Sequence, residues 1–196
     1  MEKDHIIILE DRGLISISGE DTKEYLQNII TNDINKVSKT NSIFSALLSP
    51  QGKYLFEFFI IKSTDGYWLD CDSEFVNDLI NILNKYKLRS NIEIKDLSNK
   101  FVVGIIASEK FKEIQNSEKN KNDTIFYRDS PIFIDPRTKE LGARILSSLE
   151  KLYLTIKKLN LKVVDIKIYL NNAYLQGIPV RGLKNLQEQL FGLEAK

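Results

Sequence analysis

The chain has 196 residues, 42% of them apolar and 28% charged, which is enough to bury a core in one or two domains and excludes a disordered tail. Lys and Arg number 28 against 27 Asp and Glu, so no long-range field draws the protein to nucleic acid or to an anionic membrane. No run reaches the roughly 18 apolar residues of a membrane span, and Met1-Glu2-Lys3-Asp4-His5 lacks the layout of a secretory signal, so a cytosolic or organelle-matrix location is expected.

The opening pairs Ile6-Ile7-Ile8-Leu9 with Leu14-Ile15-Ser16-Ile17-Ser18 across Asp11-Arg12-Gly13, a pattern that predicts a hairpin. Gly19-Glu20-Asp21-Thr22 then starts a helix whose apolar face carries Tyr25, Leu26, Ile29 and Ile30, and Asn32-Asp33 ends it. Strands over 43–48 and 54–61 flank a Ser49-Pro50-Gln51-Gly52 turn, and Asp65-Gly66 leads into a third over 67–71, making a meander. Asp72 or Ser73 caps a helix carrying Phe75, Val76, Leu79, Ile80, Leu83 and Tyr86. Strands follow at 92–94 and 101–106, giving a ββα pattern used twice and an α+β fold class.

From Ser108 to Asp123 the chain turns polar, which predicts an exposed helix and loop. Short strands are expected at 125–127 and 132–134, a turn at Asp135-Pro136-Arg137-Thr138, and helices over 147–159 and 163–175, broken at Asn160 and Gly177-Ile178-Pro179. Cys71 is the one cysteine, so neither an intrachain disulfide nor a metal site of several thiolates can be built from these residues.

Three blocks in order, Leu9 to Gly19, Tyr25 to Ile34 and Leu48-Ser49-Pro50-Gln51-Gly52-Lys53, resemble the folate-binding YgfZ/GcvT family, which includes the aminomethyltransferase T-protein of glycine cleavage. Asp70-Cys71-Asp72, Tyr86-Lys87-Leu88-Arg89, Asp135-Pro136-Arg137-Thr138, Gly177-Ile178-Pro179 and Leu193-Glu194-Ala195 resemble the branch that acts in iron–sulfur cluster assembly. The resemblance implies a GcvT/YgfZ-like fold, with two ββα-containing domains around a central cavity and the family's C-terminal barrel absent. The expected boundaries are 1–95 for a first subdomain, 96–160 for a second, and 161–196 for a helical segment returning to the first. The family continues into a K-G-C-Y-x-G-Q-E motif past the Leu-Glu-Ala block, and this sequence stops before it, so the chain is read either as a fragment or as a form that lost its reactive part.

The resemblance implies tetrahydrofolate as cofactor, bound by Arg12, Asn32, Asp33 and Tyr169. Arg12 and Tyr169 match aromatic folate-contacting positions of YgfZ, and a guanidinium also stacks on a π-face or binds a glutamate tail. For each residue a plain role stands alongside: a solvated turn for Arg12, core packing for Tyr169 and helix termination for Asn32 and Asp33. Lys53, Lys85, Lys87, Arg89, Arg137 and Arg144 are candidates for an anionic site or ordinary surface charge. The glutamate with which aminomethyltransferases hold the pterin edge corresponds to Leu175, and their catalytic aspartate to Phe56 with Glu57 beside it, so catalysis by this chain is not expected. The leading expectation is a folate-binding accessory protein that works with iron–sulfur assembly proteins or client enzymes, with a link to tRNA modification, in the bacterial cytoplasm or the mitochondrial matrix. The alternatives are a tetrahydrofolate-dependent aminomethyltransferase and an interaction fragment that binds no folate. Neither membrane nor direct nucleic-acid binding is expected.

Overall fold

The computed structural model describes residues 1–180, 185, 187–189 and 191. The elements run β1 (His5–Leu9), β2 (Arg12–Ser18), α1 (Thr22–Ile29), β3 (Ile43–Leu48), β4 (Tyr54–Lys62), β5 (Gly66–Asp72), α2 (Val76–Lys87), β6 (Glu93–Asp96) and β7 (Val102–Ile106). They continue with α3 (Ser108–Ser117), β8 (Thr124–Tyr127), β9 (Ser130–Ile134), β10 (Ala143–Ser147), α4 (Leu149–Lys158), β11 (Lys162–Val163) and α5 (Lys167–Leu175). Sheets and helices are both substantial, as the α+β expectation requires. The chain divides into two compact units, one built from Met1–Glu10 with Lys100–Val180 and the other from Asp11–Asn99 with Arg181–Lys196. This division differs from the boundaries at 95 and 160 drawn from the sequence.

The expected first hairpin does not form. β1 pairs with β7 and β11, whereas β2 pairs with β5 and β6. A two-residue hairpin loop needs positive φ at one or both central residues; Glu10 and Asp11 have none, so the chain runs on from one sheet into the other.

In the unit around residues 11–99, five antiparallel strands lie in the order β3-β4-β5-β2-β6. The register places Gly13 opposite Cys71, Ile15 opposite Leu69 and Ile17 opposite Tyr67, so these residues share one face with Phe56, Phe58 and Ile60. That face packs on Tyr25 and Leu26 of α1 and on Val76, Leu79 and Leu83 of α2. At Gly13 a Cβ would lie 2.1 Å from a Val76 methyl, so glycine lets α2 approach the sheet. β4 reads as a nearly continuous apolar run because its other face, with Phe59 and Ile61, is buried as well.

The other unit has the strand order β11-β1-β7-β10-β9-β8, antiparallel except for the β1–β11 pair. Ile6, Ile106, Ile132, Ala143 and Ile145 line the face that packs on Phe111 and Ile114 of α3 and Leu152 of α4. The polar stretch after Ser108 forms the expected helix, though Lys110, Phe111 and Ile114 are buried. The helix expected from 163 begins only at Lys167: Lys162 N–H bonds to Asp4 O at 2.7 Å and Val164 N–H to Ile6 O at 3.0 Å, so sheet pairing takes the preceding residues. Asn160 (φ 56°) and Gly177 (φ 68°) end α4 and α5 where the sequence placed its breaks.

Candidate functional site

Asp70 is a fully buried carboxylate in strand β5, flanked by the buried Leu69 and Cys71. Burying such a charge is expensive unless it is paired and hydrogen-bonded. Arg12, at the start of β2, supplies the partner: its Nε donates to Asp70 Oδ1 at 2.7 Å and its Nη2 to the Asp70 carbonyl at 3.0 Å. The guanidinium lies 5.9 Å from the Phe59 ring centroid, and Phe59 packs on Phe44 at 5.2 Å. These groups occupy the sheet face opposite α1 and α2. Arg12 is therefore not a solvated turn residue: its guanidinium is tied to a buried carboxylate on this face.

The same face carries Glu57 and Asp72. Between β3 and β4 the register shifts, Leu47 facing Phe56 but Leu48 facing Tyr54, and this bulge returns Tyr54 to the face of Glu57. Tyr54 is 3% exposed and its Oη has no hydrogen-bond partner among the described residues. Burial, and then the negative charges of Glu57 and Asp72, raise the pKa of its phenol, with Arg12 opposing. Burial likewise raises the Asp72 pKa, against the Glu74 N–H and Arg12. Phe56 points the other way, edge-on to Phe75 at 5.7 Å in the helix-facing core. The carboxylate on the Arg12 side of β4 is thus Glu57. Cys71 faces the core, and burial foremost pushes its thiol up to about 12, leaving a thiol with little thiolate character at neutral pH.

Asn32 and Asp33 lie in the loop after α1. Asn32 Nδ2 donates to Phe44 O at 2.9 Å, its backbone N–H to Ser45 Oγ at 3.1 Å, and its Oδ1 accepts the Asp33 N–H at 2.8 Å. Asp33 Oδ1 accepts from Asn35 N at 2.9 Å and Asn35 Nδ2 at 2.8 Å, capping a single 3-10 turn, and these bonds hold its carboxyl below the usual range. α1 itself is closed by Ile30 N–H, so the two residues shape the following loop rather than terminate the helix.

Tyr169 belongs to the other unit, on α5, and is 6% exposed. Its Oη accepts from Arg137 Nη2 at 3.2 Å. Arg137 in turn grips the buried Asp135 with Nε at 3.0 Å and Nη2 at 2.8 Å, and Arg144 Nη1 lies 4.0 Å from the same carboxylate. The Asp-Pro-Arg-Thr turn is thus an ion-paired clasp on α5. Leu175, by contrast, is exposed at the end of α5. The four sequence candidates fall in three places: Arg12 on a sheet face, Asn32 and Asp33 in a loop of the same unit, and Tyr169 in the other unit. Tyr54 and Asp70 were not singled out from the sequence as site residues. For Asp70 the signal was present, since one carboxylate inside Tyr67-Trp68-Leu69-Asp70-Cys71 calls for a buried cation.

No family model matches the chain. It is 31% identical over 153 residues to the mitochondrial iron–sulfur cluster assembly factor IBA57 homologue of Mycosarcoma maydis, a match covering 71% of this chain and 35% of the relative. The IBA57 homologue of Dictyostelium discoideum is 26% identical over 213 residues, covering 93% of this chain and 50% of the relative. The tRNA-modifying protein YgfZ of Hamiltonella defensa is 29% identical over 111 residues, covering 57% of this chain and 33% of that protein. Among solved structures, the glycine cleavage system aminomethyltransferase T of Bartonella henselae superposes with a TM-score of 0.72 at 13% identity, over 90% of this chain and 52% of that one. The chain belongs to the YgfZ/GcvT-like family. Heterotetrameric sarcosine oxidase from Corynebacterium sp. U-96 shares the fold more distantly, with a TM-score of 0.53 at 10% identity over 81% of this chain and 84% of that one. This YgfZ/GcvT-like chain spans about a third to a half of the length of these curated relatives. Among its described residues, no helix is long and apolar enough to cross a membrane, and no group of three or more His, Cys, Asp or Glu is placed to hold a metal ion.

Proposed function

We propose that this chain is the tetrahydrofolate-binding part of an accessory protein for iron–sulfur cluster assembly, located in a bacterial cytoplasm or a mitochondrial matrix, and linked to tRNA modification through the enzymes it serves. The likeness to IBA57 homologues and YgfZ supports the assembly role. The observation that carries folate binding is Tyr54: a buried hydroxyl without a partner, on a face that also holds Glu57, Asp72 and the Arg12–Asp70 pair. A pterin offers a flat ring edged with N–H donors and acceptors, and carboxylates with one hydroxyl suit that edge in chemistry. On this reading Arg12 sets the face by neutralising Asp70, Asn32 and Asp33 shape a loop of the same unit, and Tyr169 is a further folate contact carried over from the family resemblance.

Isothermal titration of the chain with tetrahydrofolate tests the reading. Tyr54→Phe removes only an oxygen that no group among the described residues uses, so its thermal midpoint is expected to hold or rise while affinity falls about tenfold. Absence of binding heat at millimolar ligand defeats folate binding by this chain. Undiminished activity of cluster-dependent enzymes after deletion of the gene defeats the assembly role. A second reading, a tetrahydrofolate-dependent one-carbon transferase, is favoured by Glu57 lying on the Arg12 face while Phe56 occupies the core. Turnover of an aminomethyl donor that disappears in Glu57→Gln decides for it.

A further inference from the structure

The motif Tyr86-Lys87-Leu88-Arg89 plays no part in the face described above; it lies where α2 ends. Ser90 N–H bonds to Lys87 O at 2.9 Å, closing a four-residue turn, and Leu88 takes φ 46°, ψ −110° within it. These angles belong to the first central position of a type II′ turn, which glycine occupies because a Cβ is strained there. A bulky leucine at this position is an outlier that carries a conformational cost. Its side chain is also 88% exposed, so burial returns nothing to offset that cost. Glycine would remove that cost.

Around Leu88 stand Lys85, Lys87 and Arg89, and among the described residues none of the three makes an ion pair. Leu88 and Arg89 border a cleft of about 830 Å³ against α1, whose lining also includes Tyr25, Ile29, Tyr86, Asp21 and Glu24. Its wall is held in place, since Tyr25 Oη donates to Leu83 O at 2.7 Å and Asp21 Oδ2 accepts the Asn91 N–H at 2.6 Å. A protruding apolar knob ringed by cations, next to a fixed concavity, has the form of an interface anchor and its neighbouring hole.

We propose that Leu88 is the anchor of a protein-docking surface, and that its partner is a protein offering an apolar pocket bordered by carboxylates, which receives Leu88 while Lys87 and Arg89 meet the acidic rim. An anionic bilayer suits the site less well. One leucine supplies little insertable area, and Asp21 and Glu24 repel lipid headgroups from the same surface. This proposal is independent of folate binding, because the anchor lies at the helical layer and not on the Arg12 face.

The test places a photo-crosslinking amino acid at position 88 of the full chain in its own cells, purifies the protein found in the adduct, and titrates that protein against the chain and its variants. Leu88→Gly relieves the turn, so its thermal midpoint is expected to rise by roughly 2–10 °C, while affinity for the purified partner drops at least tenfold. Arg89→Glu is expected to weaken binding as well, and reversing a rim carboxylate on the partner to restore it. A structural role for Leu88 predicts no such opposition of stability and affinity. Adducts only with a second copy of the chain or with lipid, no adduct at all, an unchanged thermal midpoint, or a purified partner that binds Leu88→Gly as tightly as the parent each overturn the proposal.

Discussion

At Arg12 and Asp70 two charges share a space with almost no water, and their value depends on both being present. Replacing one member of a buried pair leaves the other charge uncompensated, at a cost of about 3–5 kcal/mol. Arg12→Met is therefore expected to lower the unfolding free energy by about that amount in urea titration, and Asp70→Asn added to it should recover a substantial part. Additive losses in the double variant would show that the pair is not coupled. The sequence offered Arg12 through the resemblance and Asp70 as a carboxylate inside the apolar run Tyr67–Cys71, but not their meeting. They are 58 positions apart, and only the β2–β5 register brings them together. Tyr54 was illegible for a different reason: its orientation depends on a bulge, and a one-residue shift reverses the face that a side chain takes.

Strands and helices of the middle of the chain were legible because period and turn chemistry agreed. β3, β4 and β5 follow their apolar runs, and Gly52 (φ 80°) sits at the turn between the first two. What propensity cannot read is partner choice: β1 and β2 look like a hairpin locally yet enter separate sheets, and Lys162–Val163 joins β1 instead of opening a helix. The pairing of β2 with β5 also depends on Gly66 for reasons beyond its turn. A Cβ there would lie 2.1 Å from the Ile17 carbonyl oxygen and 2.9 Å from the Ser18 Cα, both backbone atoms that cannot rotate away. Gly66→Ala is expected to destabilise by more than about 2 kcal/mol, whereas Gly52→Ala, which meets nothing within 4 Å, pays only for its positive φ. Equal urea midpoints for the two variants would contradict this ordering.

For the molecule as a whole, the main feature is that the first ten residues belong with residues 100–180. β1 is an interior strand, with β11 on one side and β7 on the other, and it carries the buried Ile6 and Ile7. Deleting residues 1–10 is expected to strip hydrogen-exchange protection from β7 and β10 while leaving β2, β4 and β5 protected. Loss of protection across both sheets, or in neither, would count against the division into two units. The family fold was legible in the order of short blocks along the chain; this discontinuous segment was not, because strand pairing over a hundred residues leaves no local mark.

That arrangement also fixes a schedule. During synthesis β1 emerges well before its antiparallel partner β7, which is completed only when Ile106 has been added. At about 5–20 residues per second, the strand His5-Ile6-Ile7-Ile8-Leu9 waits for roughly 5–20 s with its apolar faces uncovered. Over the same interval residues 11–99 have emerged and hold every strand of their own sheet. The order of emergence thus separates the two sheets in time, and β1 is a strand that a chaperone could shield while it waits.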